Sequence, residues 1–180
     1  MIIDPADFLE RPYKVPNQQE SRDFISFLET AEEELAVKYL LGYELWELFK
    51  QGLDTSGAVD SIWEDLRDGA EYTVGGKTYK YKGWVDVVRP AIFSQWMPEL
   101  TYKLTNVGIV ENNAPKESKV LEDQYPYHVL HWNEFVKKVG SHHWNGYNCQ
   151  GSIYGFLKAN ETLYEEWVFQ CPPLKNRYDF

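Results

Sequence analysis

Cysteine is scarce in this 180-residue chain. Cys149 and Cys171 are the only two, too few for the cross-linked frameworks that hold small secreted domains together. No apolar run approaches the roughly 20 residues a helix needs to cross a bilayer. The opening stretch MIIDPADFLERP has no basic segment followed by an apolar one, so it does not read as a secretory signal, and the chain is expected to be soluble and intracellular. Signatures of catalysis are missing as well. There is no Gly-x-Ser-x-Gly elbow and no Cys-x-x-Cys pair to anchor zinc. Gly75-Gly76-Lys77-Thr78 resembles the end of a phosphate-cradling loop but lacks the upstream glycine and the strand-to-helix setting.

Aromatic residues are abundant: seven Trp, 13 Tyr and nine Phe make 16% of the chain. Such side chains carry large contact areas in cores and at interfaces. The net charge of −10 is uneven. Residues 1–70 hold 16 Asp and Glu against six Lys and Arg, whereas residues 71–180 hold 12 against 12. An acidic front half argues against tight nonspecific binding to a phosphate backbone, which needs clustered cations. It still allows a surface past which nucleic acid slides.

The periodicity predicts a mainly α fold, a compact helical bundle with one small β-hairpin insertion and extended terminal arms. Residues 1–19, with Pro5, Pro12 and Pro16, read as an extended N-terminal arm. Residues 20–171 form a single helical domain, and 172–180 a C-terminal tail. In the first helix, about Glu20 to Leu41, Phe24, Leu28, Ala31, Leu35 and Tyr39 share a face. Glu29, Glu32, Glu33 and Glu34 are assigned to the solvated remainder. Gly42 is expected as a left-handed cap. A second helix follows from Tyr43 to about Gln51, closed by Gly52, and a third from Ser56 or Gly57 to Arg67. Around Gly75-Gly76, residues 71–82 read as a hairpin, because adjacent glycines supply the positive φ angles of a two-residue turn.

From Gly83 to about Thr105 the long apolar segment reads either as one helix kinked at Pro90 and Pro98 or as two helices broken near Pro98. Residues 106–117 read as an irregular crossing. Ser118 then caps a helix to about Val139, with a kink at Pro126. A glycine-punctuated loop covers 140–151, and a final helical stretch runs from about Ser152 to Phe169, either unbroken or interrupted near Asn160.

Candidate chemistry is thin. His128 and His131, three apart on a helix, share a face, and with nearby carboxylates they define a metal-dependent enzyme as one alternative. The spacing of His128, His131, His142, His143, Cys149 and Cys171 matches no standard zinc pattern. No metal, cofactor or catalytic residue is therefore assigned. Tyr79, Tyr81 and Trp84 around the hairpin, and Trp144 and Tyr147 in the later loop, are candidate subunit or partner contacts. Exposed aromatics of this kind would also suit an aromatic-rich ligand- or carbohydrate-binding module.

The order of features carries a resemblance. A helix ending in Leu40-Leu41-Gly42 leads directly into Tyr43-Glu44-Leu45-Trp46. Then come Gly75-Gly76, Tyr79-Lys80-Tyr81-Lys82-Gly83-Trp84, a long aromatic helix and Thr105-Asn106-Val107-Gly108-Ile109-Val110. Over roughly residues 20–169 this resembles the head–tail connector proteins of tailed bacteriophages and prophages, also called adaptor or head-completion proteins. The resemblance implies a non-enzymatic virion protein at the head–tail junction, made in the bacterial cytoplasm. The resemblance also implies a protein that, like others of that kind, is commonly a monomer in solution and assembles as a ring between the portal protein and tail-completion proteins. DNA would pass through its channel without sequence-specific binding. No active-site residues carry over. The turns at Gly42, Gly75, Gly76 and Gly108 are expected as fixed structural points, and Pro90, Pro98 and the loop at 140–151 depart from the pattern.

Overall fold

A helix with no unpaired ends needs partners for its last carbonyls, and the first helix finds them in an unexpected place. In a computed structural model, which describes residues 2–10, 12–15, 22–54, 60–105, 108–111, 121–140 and 150–175, with side chains outside 97–111 and 121–127, α1 spans Arg22–Leu35. It continues as a wider π turn over Ala36–Leu40. The apolar stripe is buried as the spacing requires, from Phe24 through Tyr39. The carbonyls of Tyr39, Leu40 and Leu41 then accept from the Gln170 N–H, the Trp167 indole and the Val168 N–H at 3.3, 2.8 and 3.0 Å. Residues 160–169 are therefore not the helix their composition suggested. Turns follow α6, Ile153–Ala159, and place an irregular strand of chain across the end of α1.

Gly42 joins α1 to α2, Tyr43–Leu53. Its φ of 81° and ψ of 167° lie outside the left-handed helical region expected of a cap, in territory open essentially to glycine alone. Gly52 does not end α2 but lies inside it. A Cβ there would stand 2.3 Å from the Trp63 ring, so glycine is needed for α3, Ser61–Asp68, to pack closely. Asp60 caps α3, its carboxylate accepting from the Ile62 N–H; the proposed starts at Ser56 and Gly57 lie outside the described residues.

The hairpin is as the glycine pair requires. β1, Glu71–Val74, pairs antiparallel with β2, Lys77–Lys80, in the register Tyr72 opposite Tyr79 and Val74 opposite Lys77.

α4, Trp84–Thr101, is the central helix. Trp84, Val87, Val88, Ala91, Ile92, Phe93, Ser94 and Trp96 are all buried, the signature of a helix enclosed on every side. It packs chiefly on α5, Leu121–Val139, and also on α1 and α3. The chain leaves α4 into β3, Tyr102–Thr105, which pairs with β4, Gly108–Glu111. This second hairpin corrects two expectations: Leu104 belongs to a strand rather than a helix, and Gly108 opens a strand rather than an irregular crossing. Pro126 lies within α5, and Ser118 lies outside the described residues.

α4 runs through both Pro90 and Pro98, so it does not break at Pro98. Pro90 has no N–H to give the carbonyl four residues earlier, that of Asp86. The Lys138 ammonium takes the vacancy, donating to the Asp86 carbonyl at 3.0 Å and to its carboxylate at 3.1 Å. Lys138→Met is thus expected to cost about 1–3 kcal/mol. In a Pro90→Ala background, where residue 90 regains its N–H, that cost should fall by roughly 1 kcal/mol. Urea denaturation of the two single variants and the double variant measures the coupling. Strict additivity would show that Lys138 does not substitute for the lost helical bond.

The N-terminal segment is not an arm. Asp4 caps a 3-10 turn over Pro5–Phe8, and Ile3, Phe8, Tyr13 and Val15 are buried in the core. Proline suppressed periodicity here without making the segment peripheral. The C-terminal stretch is also held: Trp132 donates to the Pro173 carbonyl at 2.7 Å, and Asn133 bonds Lys175 through both its carbonyl and its N–H.

Candidate partner-binding surfaces

Local chemistry fixes the base of the first hairpin and frees its tip. Tyr72 packs edge-on against Phe156 at 6.0 Å, and its hydroxyl accepts from the Gly151 N–H at 2.7 Å. Tyr81 stacks on Phe156 at 4.7 Å and donates to the Leu66 carbonyl at 3.0 Å. Trp84 stacks on Trp46 at 5.5 Å and donates to Glu32 at 2.8 Å. Tyr81 and Trp84 are fully buried, so they offer no surface to a partner in this fold; their rings hold the hairpin and α4 to the core instead. Tyr79 is half-buried against Tyr72. Trp144 and Tyr147, with His142, His143 and Cys149, lie outside the described residues. At the tip, Gly75 and Gly76 take φ of 57° and 76° with open space around them.

The histidines are bound into helix packing. Ser94, fully buried on α4, has its hydroxyl 3.0 Å from both the Nδ1 and the carbonyl oxygen of His128. Burial holds the His128 imidazole below its usual range. His131 sits between the rings of Tyr13 and Phe93, with Nδ1 3.4 Å from Glu134.

Glu134 is the hub of a polar cluster. It accepts from the Tyr13 hydroxyl at 2.6 Å and pairs with Lys138 at 3.2 Å. Burial works to raise its carboxyl, but the Tyr13 and Lys138 bonds outweigh it and hold it below the ordinary value. Burial and the bond to Glu134 push the Tyr13 phenol well up, so it remains a donor. Arg89 lies over the Tyr13 ring at 4.7 Å and reaches the Asp7 carbonyl at 3.3 Å. These groups bond to one another and tie the N-terminal segment to α4 and α5. Among the described residues, no three His, Cys, Asp or Glu side chains gather where they could hold a metal ion.

Glu32 was assigned to the solvated face of α1 and is instead 1% exposed. Its carboxylate accepts from the Ile2 N–H, the Ile3 N–H and the Trp84 indole at 2.9, 3.0 and 2.8 Å. The signal was available: Glu32 lies four residues from both Leu28 and Ala36, on the buried side.

Two surfaces have no internal partners among the described residues. On the hairpin, Val74 is half exposed and Lys77, Lys80 and Lys82 are exposed; none of the three lysines has an ion pair among the described residues. At the start of α2, Tyr43, Leu48 and Val168 are exposed. Tyr43 is the one exposed aromatic among described side chains. Val168 lies against Gly42, where an added Cβ would meet it at 2.9 Å. Beside them the neighbouring Glu44 carboxyl raises the Glu166 carboxyl, and Glu165 is exposed. Among the described residues, no helix is long and apolar enough to cross a membrane. No protein-family model matches the chain, and neither a curated protein nor a solved structure matches it.

Proposed function

We propose that this chain is a structural protein of a tailed bacteriophage or prophage, a head–tail connector that sits as a ring between portal and tail, extends the DNA channel and docks the tail. The supporting observation is where its polar groups are used. The candidate chemical groups, Ser94 with His128 and the Tyr13–Glu134–Lys138–Asp86 cluster, are internal pins between elements. The unpaired charges lie outside, beside exposed apolar side chains, where they serve contact between proteins. Exposed Glu29, Glu33 and Glu34 along α1 would repel a DNA backbone in a channel and keep it mobile.

A carbohydrate-binding module would need an exposed row of aromatic faces. Tyr154, Trp167 and Phe169 are only half-buried, yet they meet one another edge-on or tilted, with centroids 4.9–5.8 Å apart, so they offer no flat platform.

The test is reconstitution. Mixed with the portal protein of the phage or prophage it comes from, the chain should add a ring of density to one end of the portal in electron micrographs. A portal that stays bare at every concentration overturns the proposal.

A further inference from the structure

The two unpartnered surfaces have opposite charge. Residues 71–82 contain one carboxylate, Glu71, against Lys77, Lys80 and Lys82. All three lysines are exposed and lack an ion pair among the described residues, in a protein whose net charge is −10. Val74, at the strand end facing Lys77, is 50% exposed. A two-stranded hairpin is marginal by itself in water, and among the described residues this one is anchored at its base, through Tyr72 and Tyr81.

The acidic face is the converse. Tyr43 and Val168 are 64% and 67% exposed, joined by Leu48 further along α2. Glu44, Glu165 and Glu166 flank them with no cation partner among the described residues, although two other surface acids, half-buried Glu47 and exposed Glu161, are paired with Lys50 and Lys158. The neighbouring carboxyl groups of Glu44 and Glu166 repel whenever both are ionised, and an incoming ammonium group relieves that repulsion.

We infer that the cationic β1–β2 hairpin of one copy docks, tip foremost, on the acidic, apolar face formed by the start of α2 and residues 163–168 of a second copy. At the tip Val74 meets the apolar patch of Tyr43, Leu48 and Val168 and Lys77 opposite it meets the nearest carboxylates, while Lys80 and Lys82, nearer the base and on the other face of the hairpin, add longer-range attraction to Glu44, Glu165 and Glu166. A nucleic acid is the weaker occupant for the lysines, because the surrounding acidic surface opposes it. The second copy is preferred because it brings a matched number of carboxylates next to an apolar anchor. The contact joins two different surfaces, so successive copies add head to tail, closing as a ring where the rotation allows. Only that closure rests on the connector reading.

The test is charge reversal followed by mixing. Light scattering at low salt and high protein concentration should show wild-type assemblies larger than one chain, which dissociate as salt screens the contact. K77E/K80E/K82E and E44K/E165K/E166K should each associate at least about tenfold more weakly, since like charges then face each other. An equal mixture of the two should regain the wild-type mass. The neutral variant K77Q/K80Q/K82Q, with circular dichroism and a urea midpoint matching wild type, separates lost contact from lost folding. A wild-type chain that stays monomeric throughout overturns the contact, as does a reversal variant that keeps wild-type association or a mixture that stays apart. An assembly that stops at two copies upholds the contact but removes the ring, which distinguishes its failure from that of the connector reading.

Discussion

Gly69→Ala and Gly83→Ala are each expected to destabilise the fold by about 4 kcal/mol or more, a large part of a small domain's total stability. The two glycines stand where the chain enters and leaves the first hairpin, and there the backbones cross. A Cβ on Gly69 would lie 2.5 Å from the Tyr81 carbonyl oxygen and 2.7 Å from the Gly83 nitrogen. A Cβ on Gly83 would lie 2.7 Å from the Arg67 carbonyl oxygen and 2.8 Å from that of Asp68. Main-chain atoms cannot rotate aside as a side chain can, so the crossing itself must open. Positive φ angles of 95° and 98° add strain for any residue with a Cβ. Gly75→Ala and Gly76→Ala are the controls. Open space surrounds both, so only the φ penalty of about 1–2 kcal/mol remains. Urea midpoints for the four variants provide the comparison, and a Gly69→Ala protein as stable as Gly75→Ala would show that no close crossing exists.

Glu32→Ala should be nearly as damaging, by about 3 kcal/mol. It leaves the Ile2 and Ile3 N–H groups and the Trp84 indole N–H without acceptors inside the protein. Glu32→Gln should fall between. The Ile3 and Trp84 bonds both end on Oε1 and can persist on an amide oxygen, but the amide nitrogen would face the Ile2 N–H, donor against donor.

The pH dependence separates charge from hydrogen bonding. Burial raises the Glu32 carboxyl, and the three donors pull it back without cancelling the effect, so it titrates above its ordinary value of 4.5. The folded protein therefore holds this proton more tightly than the unfolded chain. The stability it contributes is complete below pH 4.5 and is lost as pH rises through the elevated folded value. The stability difference between wild type and Glu32→Gln should shrink across that window. A difference that grows with pH would mean the three donors outweigh burial.

Glu32 also marks the boundary of what the amino-acid pattern reveals. Spacing found the stripe from Phe24 to Tyr39, and the glycine pair found the first hairpin in its correct register. Both depend on residues near one another in sequence. The second hairpin was hidden because Tyr102 and Leu104 extend the apolar run of α4 without a break. The crossing at Gly69 and Gly83 joins residues 14 positions apart, and an isolated glycine reveals nothing about what approaches it. Phe8, Tyr13 and Val15 anchor the N-terminal segment one at a time, and such a strap has no period to detect. Of the residues singled out as contacts, Tyr81 and Trp84 proved to be core, since composition cannot tell an interface aromatic from a buried one. Tyr43, Val168 and the Glu44–Glu166 pair became visible only once residues 160–169 left the helix and lay beside α2.

The same crossing of residues 167–170 over the end of α1 constrains the order in which the chain can fold during synthesis. The first helix is complete in sequence by Leu41, yet the three carbonyls at its end wait for donors from Trp167, Val168 and Gln170. Until that late segment leaves the ribosome, the end of α1 is left to water, and the growing chain remains provisional. Removing the chain from residue 167 onward should therefore loosen its beginning as well as its end, with hydrogen exchange rising first at Leu41 and Gly42.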